Sequence, residues 1–234
     1  MIELKTILNY PQDIIALDEV GRSPLSGPVV IGAVKLAVTD PHLLKSLIRF
    51  LKRQGIKDSK LLTTETRQEI LSDLGISKNL FRQKGEVILK GFTIQFVTWE
   101  MDHNVIDSEN ILAASLRGMK EAALFLSAED KSQTTLLIDG HLKLRWELES
   151  PFREVPIVKG DVKSPLIALA AIIAKERRDE LMREMHLLYP QYGFQTNVGY
   201  PTLAHRKAIA ALGPCPIHRK SFNKVKEFIG AKER

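Results

Sequence analysis

A single cysteine, Cys215, among 234 residues leaves no partner for an internal disulfide. The six histidines are scattered, without the paired Cys/His spacing of a structural zinc site. Both features fit a reducing compartment, and the cytoplasm is the expected location. No apolar run approaches the roughly 20 residues that span a bilayer. The longest dense stretch, Ile167 to Ala174, stops at Lys175, and the N-terminus carries Glu3 and Lys5 in place of an apolar export segment. A soluble, unexported chain with no membrane partner is expected. Internal repeats and low-complexity tracts are also missing, which excludes solenoids and collagen-like chains.

What remains is 44% hydrophobic and 26% charged, enough for a sizeable core in one large domain with a small appendage. The net charge of +6 favours a polyanionic partner without identifying one. Its placement says more. Lys159, Lys163, Lys175, Arg177, Arg178, Arg206, Lys207, Arg219 and Lys220, with His205 and His218, all fall in the last third, the segment to set against phosphates.

The coarse pattern is α/β. Ile14 to Leu17, Pro28 to Leu36 and Gly91 to Trp99 are apolar and β-branched and read as three strands, with Gly21 to Gly27 as a turn between the first two. Pro41 to Arg53 and Thr63 to Leu74 read as helices, the second capped by Thr63 or Thr64. Apolar residues recur every three or four positions from Asp107 to Leu126, the stripe of a helix lying on a sheet. Leu136 to Asp139 and Val155 to Val158 read as the fourth and fifth strands. Ser164 to Leu188 is the longest helix, followed by turns, a helix near Thr202 to Leu212 and a helical tail. Residues 1–188 are thus expected to form the core and 189–234 a helical lobe packed on it.

Three strand ends finish in acid: Leu17-Asp18-Glu19, Ile138-Asp139-Gly140, and Val158-Lys159-Gly160-Asp161. If these strands are parallel neighbours, the acids meet at one sheet edge, where open α/β sheets bind ligands. Carboxylates about 4 Å apart repel by about 4 kcal/mol per pair at an effective dielectric of 20, so such a group takes up protons or holds cations. Oxygen-only donors suit Mg2+ or Mn2+. Two such ions about 4 Å apart serve in-line attack on phosphorus. Taken singly, Asp161 reads as a helix cap and Asp139-Gly140 as a turn. Asp18-Glu19 is harder to dismiss, because a buried strand running into two acids carries a desolvation cost. The coincidence of all three carries the reading.

Over nearly its whole length the sequence resembles ribonuclease HII, the type 2 ribonuclease H of bacteria. The matching stretches include Ile15 to Arg22 with Pro24, Gly27 and Pro28; Asp58 to Leu62; Ile138-Asp139-Gly140; Lys159-Gly160-Asp161 with Ser164; Ala171 to Lys175 with Arg178-Asp179; Tyr189-Pro190 with Tyr192-Gly193-Phe194; Gly199 to Thr202 with His205; and Ile217 to Phe222. The resemblance implies a ribonuclease H-like fold: a five-stranded mixed sheet flanked by helices, with a small helical C-terminal lobe. It implies Asp18, Glu19, Asp139 and Asp161 as catalytic acids holding Mn2+ or Mg2+, two ions with substrate bound. The implied reaction is hydrolysis of the RNA strand of RNA/DNA hybrids and cleavage 5′ of ribonucleotides embedded in duplex DNA, leaving 3′-hydroxyl and 5′-phosphate ends. Neighbouring strand residues face opposite sides, so Asp18 ranks as the central ligand.

In the family a Gly-Arg-Gly turn reads the 2′-hydroxyl through its backbone. Here it is Gly21-Arg22-Ser23, and if the third position needs a positive φ, Ser23 costs about 1 kcal/mol. Tyr200 matches the tyrosine that stacks on the following deoxyribose. Where the family has His-Lys, this chain has Asn197-Val198, which removes a positive charge. Lys60, Lys163, Lys175, Arg178, Arg219 and Lys220 are the candidate phosphate neighbours, while Asp58 and Ser59 read as turn and capping residues. A monomer is expected, and no clamp-binding peptide is evident after Phe222. Three alternatives stay open: a resolvase- or transposase-like nuclease of the same fold, a non-catalytic or altered-specificity hybrid-binding member, and the sister type ribonuclease HIII, whose extra N-terminal domain has no room before Asp18.

Overall fold

The structure is a computed structural model that describes residues 12–57, 59–76, 83–127, 129 and 131–229. Asp58 lies outside them. A six-stranded mixed sheet runs in the order β3-β4-β2-β1-β5-β6, built from β1 (Gln12–Val20), β2 (Val29–Val38), β3 (Gly85–Leu89), β4 (Phe92–Met101), β5 (Thr134–Asp139) and β6 (Arg153–Ile157). β1 pairs antiparallel with β2 and parallel with β5, and β5 pairs parallel with β6. The expected α/β class and mixed sheet hold, with one strand more than the five anticipated. That strand is β3 at the edge, joined to β4 by a tight hairpin in which Lys90 and Gly91 both take positive φ.

Alternation along the strands feeds two cores. Ile14 and Ala16 of β1, Val34 and Leu36 of β2 and Leu137 of β5 pack against α1 (Pro41–Arg53), α2 (Thr64–Asp73) and the first half of a long helix. Ile15, Leu17, Ile31, Leu136 and Ile138 face the other way, against α3 (His103–Glu109) and α4 (Ile111–Leu126). The expected single helix from Asp107 is two. Asn110, at φ 75, ends α3, and its side chain caps α4 by accepting from Leu112 N–H and Ala113 N–H. After the one-turn α5 (Gly160–Lys163) comes the long helix α6 (Pro165–Leu188). Ser164, not Asp161, is the N-cap of α6: its hydroxyl accepts from Ile167 N–H at 3.3 Å.

The remaining segment contains α7 (Phe194–Asn197), α8 (Leu203–Leu212) and α9 (Asn223–Lys226). Its small core of Tyr192, Phe194, Ile209, Cys215 and Val225 also takes in Met182 of α6 and Leu25 of the β1–β2 turn. The turn and the lobe are therefore packed as one body. Among the described residues no helix is long and apolar enough to cross a membrane.

Candidate active site

Because β1 and β5 are parallel with Leu17 opposite Ile138, the next residues of the two strands, Asp18 and Asp139, emerge side by side. Both continue the series that faces α6, Ile14 and Ala16 before Asp18 and Leu137 before Asp139. β6 ends opposite Asp139 at Ile157, and the chain turns through Lys159, at φ 56, into α5, which carries Asp161. Glu19 continues the opposite face and comes round the strand end from the α4 side. It lines, with Arg22, Leu116, Met119, Asp139 and His141, a half-open cavity of about 150 Å³.

The four carboxylates lie in one electrostatic field. Asp18 is buried, and desolvation followed by the charges of Glu19, Asp139 and Asp161 raises its carboxyl well above the ordinary range. Burial pushes Glu19 up to about 7 against the opposing pull of Arg22, and burial raises Asp139 as well. Local bonds hold the acids: Asp18 Oδ1 accepts Glu19 N–H at 2.6 Å, and Asp139 Oδ1 accepts Gly160 N–H at 2.6 Å. Two cations of the chain stand against them, Arg22 on Glu19 at 3.2 Å and Lys60 on Asp161 at 3.6 Å. Among the described residues no group of three or more Asp, Glu, His or Cys side chains is gathered closely enough to hold a metal ion. The donor set itself, all oxygen with like charges in a desolvated setting, is chemically suited to a hard divalent cation.

The candidate substrate residues divide. Arg22, Ser23, Lys60, Lys163 and Tyr200 are exposed, with Arg22 and Lys60 paired to Glu19 and Asp161, whereas Gly21 is buried. Ser23 does not have a positive φ, so the anticipated strain there is absent. Arg219, read as a phosphate neighbour, is corrected: it is fully buried, and its guanidinium donates to Gly21 O, Arg22 O and Gly27 O at 2.6, 2.9 and 2.9 Å. Arg178 is equally buried and donates to Pro28 O, Val198 O and Ser26 O at 3.1, 2.9 and 3.2 Å. Burial pushes Arg219 down to about 9 and Arg178 down to about 10, both still charged at neutral pH. Lys175 is committed to Asp179 at 2.6 Å.

The segment bearing Tyr200 is tied to the turn from behind. Leu25 N–H donates to Gly199 O at 2.8 Å, and a side chain on Gly199, at φ +85, would strike Ser26. Asn197 serves this geometry: its amide donates to Tyr192 O and its oxygen accepts Gly199 N–H. Val198 sits at φ 41, a strained position for a β-branched residue. Sequence reasoning missed one further group, the buried Arg67, which donates to Glu176 at 2.7 Å, Asp179 at 3.0 Å and Leu62 O at 2.9 Å. Through Leu62 it anchors the turn that carries Lys60.

Residues 15–225 match the family model described as Ribonuclease HII. The Ribonuclease HII of Desulfotalea psychrophila is 39% identical over 227 residues, covering 96% of this chain and 87% of that protein. Among solved structures, the ribonuclease H2 from Pyrococcus horikoshii OT3 matches with a TM-score of 0.64 at 20% identity, covering 92% of this chain and 96% of that one. Bst-RNase HIII in complex with Mn2+ matches with a TM-score of 0.57 at 19% identity, covering 96% of this chain and 71% of that one. At these identities the two structures speak for the fold.

Proposed function

This chain belongs to the ribonuclease HII family, and we propose that it is a divalent-metal-dependent endoribonuclease. It hydrolyses the RNA strand of RNA/DNA hybrids and cuts 5′ of ribonucleotides embedded in duplex DNA, leaving 3′-hydroxyl and 5′-phosphate ends. What supports this reading is that Asp18 and Asp139 end adjacent parallel strands, that Asp161 lies on the short helix after the next strand, and that the charges of Glu19, Asp139 and Asp161 all act on Asp18. The all-oxygen donor set supports the choice of ion.

Asp18, Glu19, Asp139 and Asp161 would hold Mg2+ or Mn2+, two ions with substrate present. Ions so held supply charge stabilisation at the phosphate and at the leaving oxygen. The chain's own contribution is positional. Gly21-Arg22-Ser23 lies beside the acids with Arg22 and Ser23 exposed, where its backbone meets the ribose that distinguishes the cleavage site. Tyr200, 39% exposed on a segment braced against that turn, offers its ring to the next sugar. Lys60 and Lys163 flank Asp161 and meet backbone phosphates.

The deciding experiment is cleavage of three matched duplexes carrying zero, one and several ribonucleotides, in Mg2+ and then in Mn2+. Cutting of the second and third, with the all-DNA duplex intact and no product under chelation, is the expected result. Scission of all-DNA duplex would assign a different nuclease, and binding without product in either ion would assign a non-catalytic hybrid binder.

A further inference from the structure

Arg219 and Arg178 are fully buried cations, and among the described residues neither forms an ion pair. A buried charge of this kind costs stability that an apolar side chain of similar volume avoids. The six partners of the two arginines, three each, are all backbone carbonyls, five of them in the loop from Gly21 to Pro28 and one at Val198. Packing alone does not account for that choice, whereas orientation of the loop does.

A trans peptide carries its carbonyl and the following N–H in one plane, pointing in opposite directions. Arg219 draws Gly21 O and Arg22 O inward. The N–H groups of Arg22 and Ser23, which complete those two planes, are thereby turned outward. Neither amide has an acceptor among the described residues, and both residues are exposed beside the acids. The result is a pair of outward donors held by a cation beneath.

We infer that Arg219 is a positioning residue for ribose recognition: by holding two peptide planes it presents the Arg22 and Ser23 amides to the 2′-hydroxyl and adjoining phosphate oxygen of a ribonucleotide. Arg178 braces the rear of the same loop and, through Val198 O, the segment that carries Tyr200. The inference rests on the reading that this turn meets a ribonucleotide. It explains how selectivity survives Ser in the third turn position, since the orientation of the amides is imposed from below. It also explains why a cation is used: a planar guanidinium spans three carbonyls, which an ammonium on a shorter reach does not.

The test is binding without divalent metal, by fluorescence anisotropy, of two duplexes identical except for one ribonucleotide. For R219K the preference for the ribonucleotide duplex is expected to fall about tenfold, the scale of two lost or misaligned hydrogen bonds, with affinity for all-DNA duplex within about twofold of the parent. Y192F, which loses only a lobe hydrogen bond to Gly213 O, keeps the preference. In parallel, the Arg22 and Ser23 amide resonances of the unaltered protein shift with the ribonucleotide duplex and not with the all-DNA duplex. This second readout decides the matter if R219K does not fold. A folded R219K with undiminished preference overturns the inference alone, whereas amide resonances indifferent to the ribose overturn it together with the reading that this turn meets the ribonucleotide. Absence of any preference in the unaltered protein overturns the substrate reading, and the inference with it.

Discussion

His205 and His218 meet ring to ring in the lobe, Nε2 to Nε2 at 3.0 Å, with both side chains buried. Their protons follow from their neighbours. His205 Nδ1 lies 2.9 Å from Tyr200 O, which only accepts, so that nitrogen carries hydrogen and Nε2 accepts from His218. His218 Nδ1 in turn accepts the Cys215 amide at 2.9 Å, with Cys215 Sγ 3.0 Å from the same nitrogen. Burial pushes that thiol up to about 11, so it keeps its proton at neutral pH. The chain of bonds closes only with both imidazoles neutral.

Stability should therefore depend on pH in the mildly acidic range. Burial, reinforced by His205, pushes His218 down to about 4 from its ordinary 6.5, and burial lowers His205 as well. Between these values the unfolded chain binds a proton that the folded chain refuses, so the contribution of the pair is complete above about 6.5 and falls as pH drops toward 4. The loss from His218 is about 3 kcal/mol. Glu19, pushed up to about 7, acts in the opposite sense over the same range, so the check is the difference between parent and His218→Phe thermal melts: the parent's advantage should grow from pH 4 to about 6.5, and a difference that does not change with pH would refute the pairing.

Asp18→Asn removes a buried carboxyl that is pushed up by desolvation and by its acidic neighbours. Cleavage should drop at least ~10³-fold, because a central ion donor is lost. The apo protein should melt no lower than the parent and gain up to about 1 kcal/mol from relieved repulsion. Mg2+ or Mn2+ should raise the melting temperature of the parent and do so less for the variant. Calorimetry on both proteins, with and without ion, checks each part.

Arg67 is the counter-charge for two carboxylates whose side chains are 5% and 8% exposed. Arg67→Met leaves Glu176 and Asp179 without it, and Lys175 still satisfies only Asp179. A loss of about 3–5 kcal/mol in urea unfolding is expected. Rescue by changing Glu176→Gln in the same chain would locate the cost in the stranded charge.

Gly21 stands at φ +101, and a methyl group there would run into the Arg178 guanidinium and Pro28 O. Gly21→Ala should cost at least ~2 kcal/mol through strain and displacement of the turn. Urea unfolding measures it.

The acids were legible because β1 and β5 are apolar runs that end abruptly in Asp18 and Asp139, and their parallel placement brings both to one edge. The strand at Gly85–Leu89 was not, since it alternates partly buried and exposed side chains at the sheet's rim and turns on a lysine in a left-handed conformation. The break at Asn110 was hidden for a similar reason: an apolar stripe continues across a residue that both stops one helix and caps the next. Arg219 was misread because charge in a sequence suggests a solvent-facing partner. Its carbonyl acceptors lie almost the whole chain away, at Gly21, Arg22 and Gly27. Only long-range packing reveals that a cation there is internal.

The sharing of Leu25 between an early loop and a late hydrophobic cluster has a consequence for biogenesis. A ribosome that has already delivered Asp18, Glu19, Asp139 and Asp161 still has Arg219 to make, so the loop beside them takes its working shape only once Arg219 emerges. Truncation at Leu188 would accordingly yield no smaller nuclease: it would leave Leu25 facing water and the loop carbonyls without their clamp.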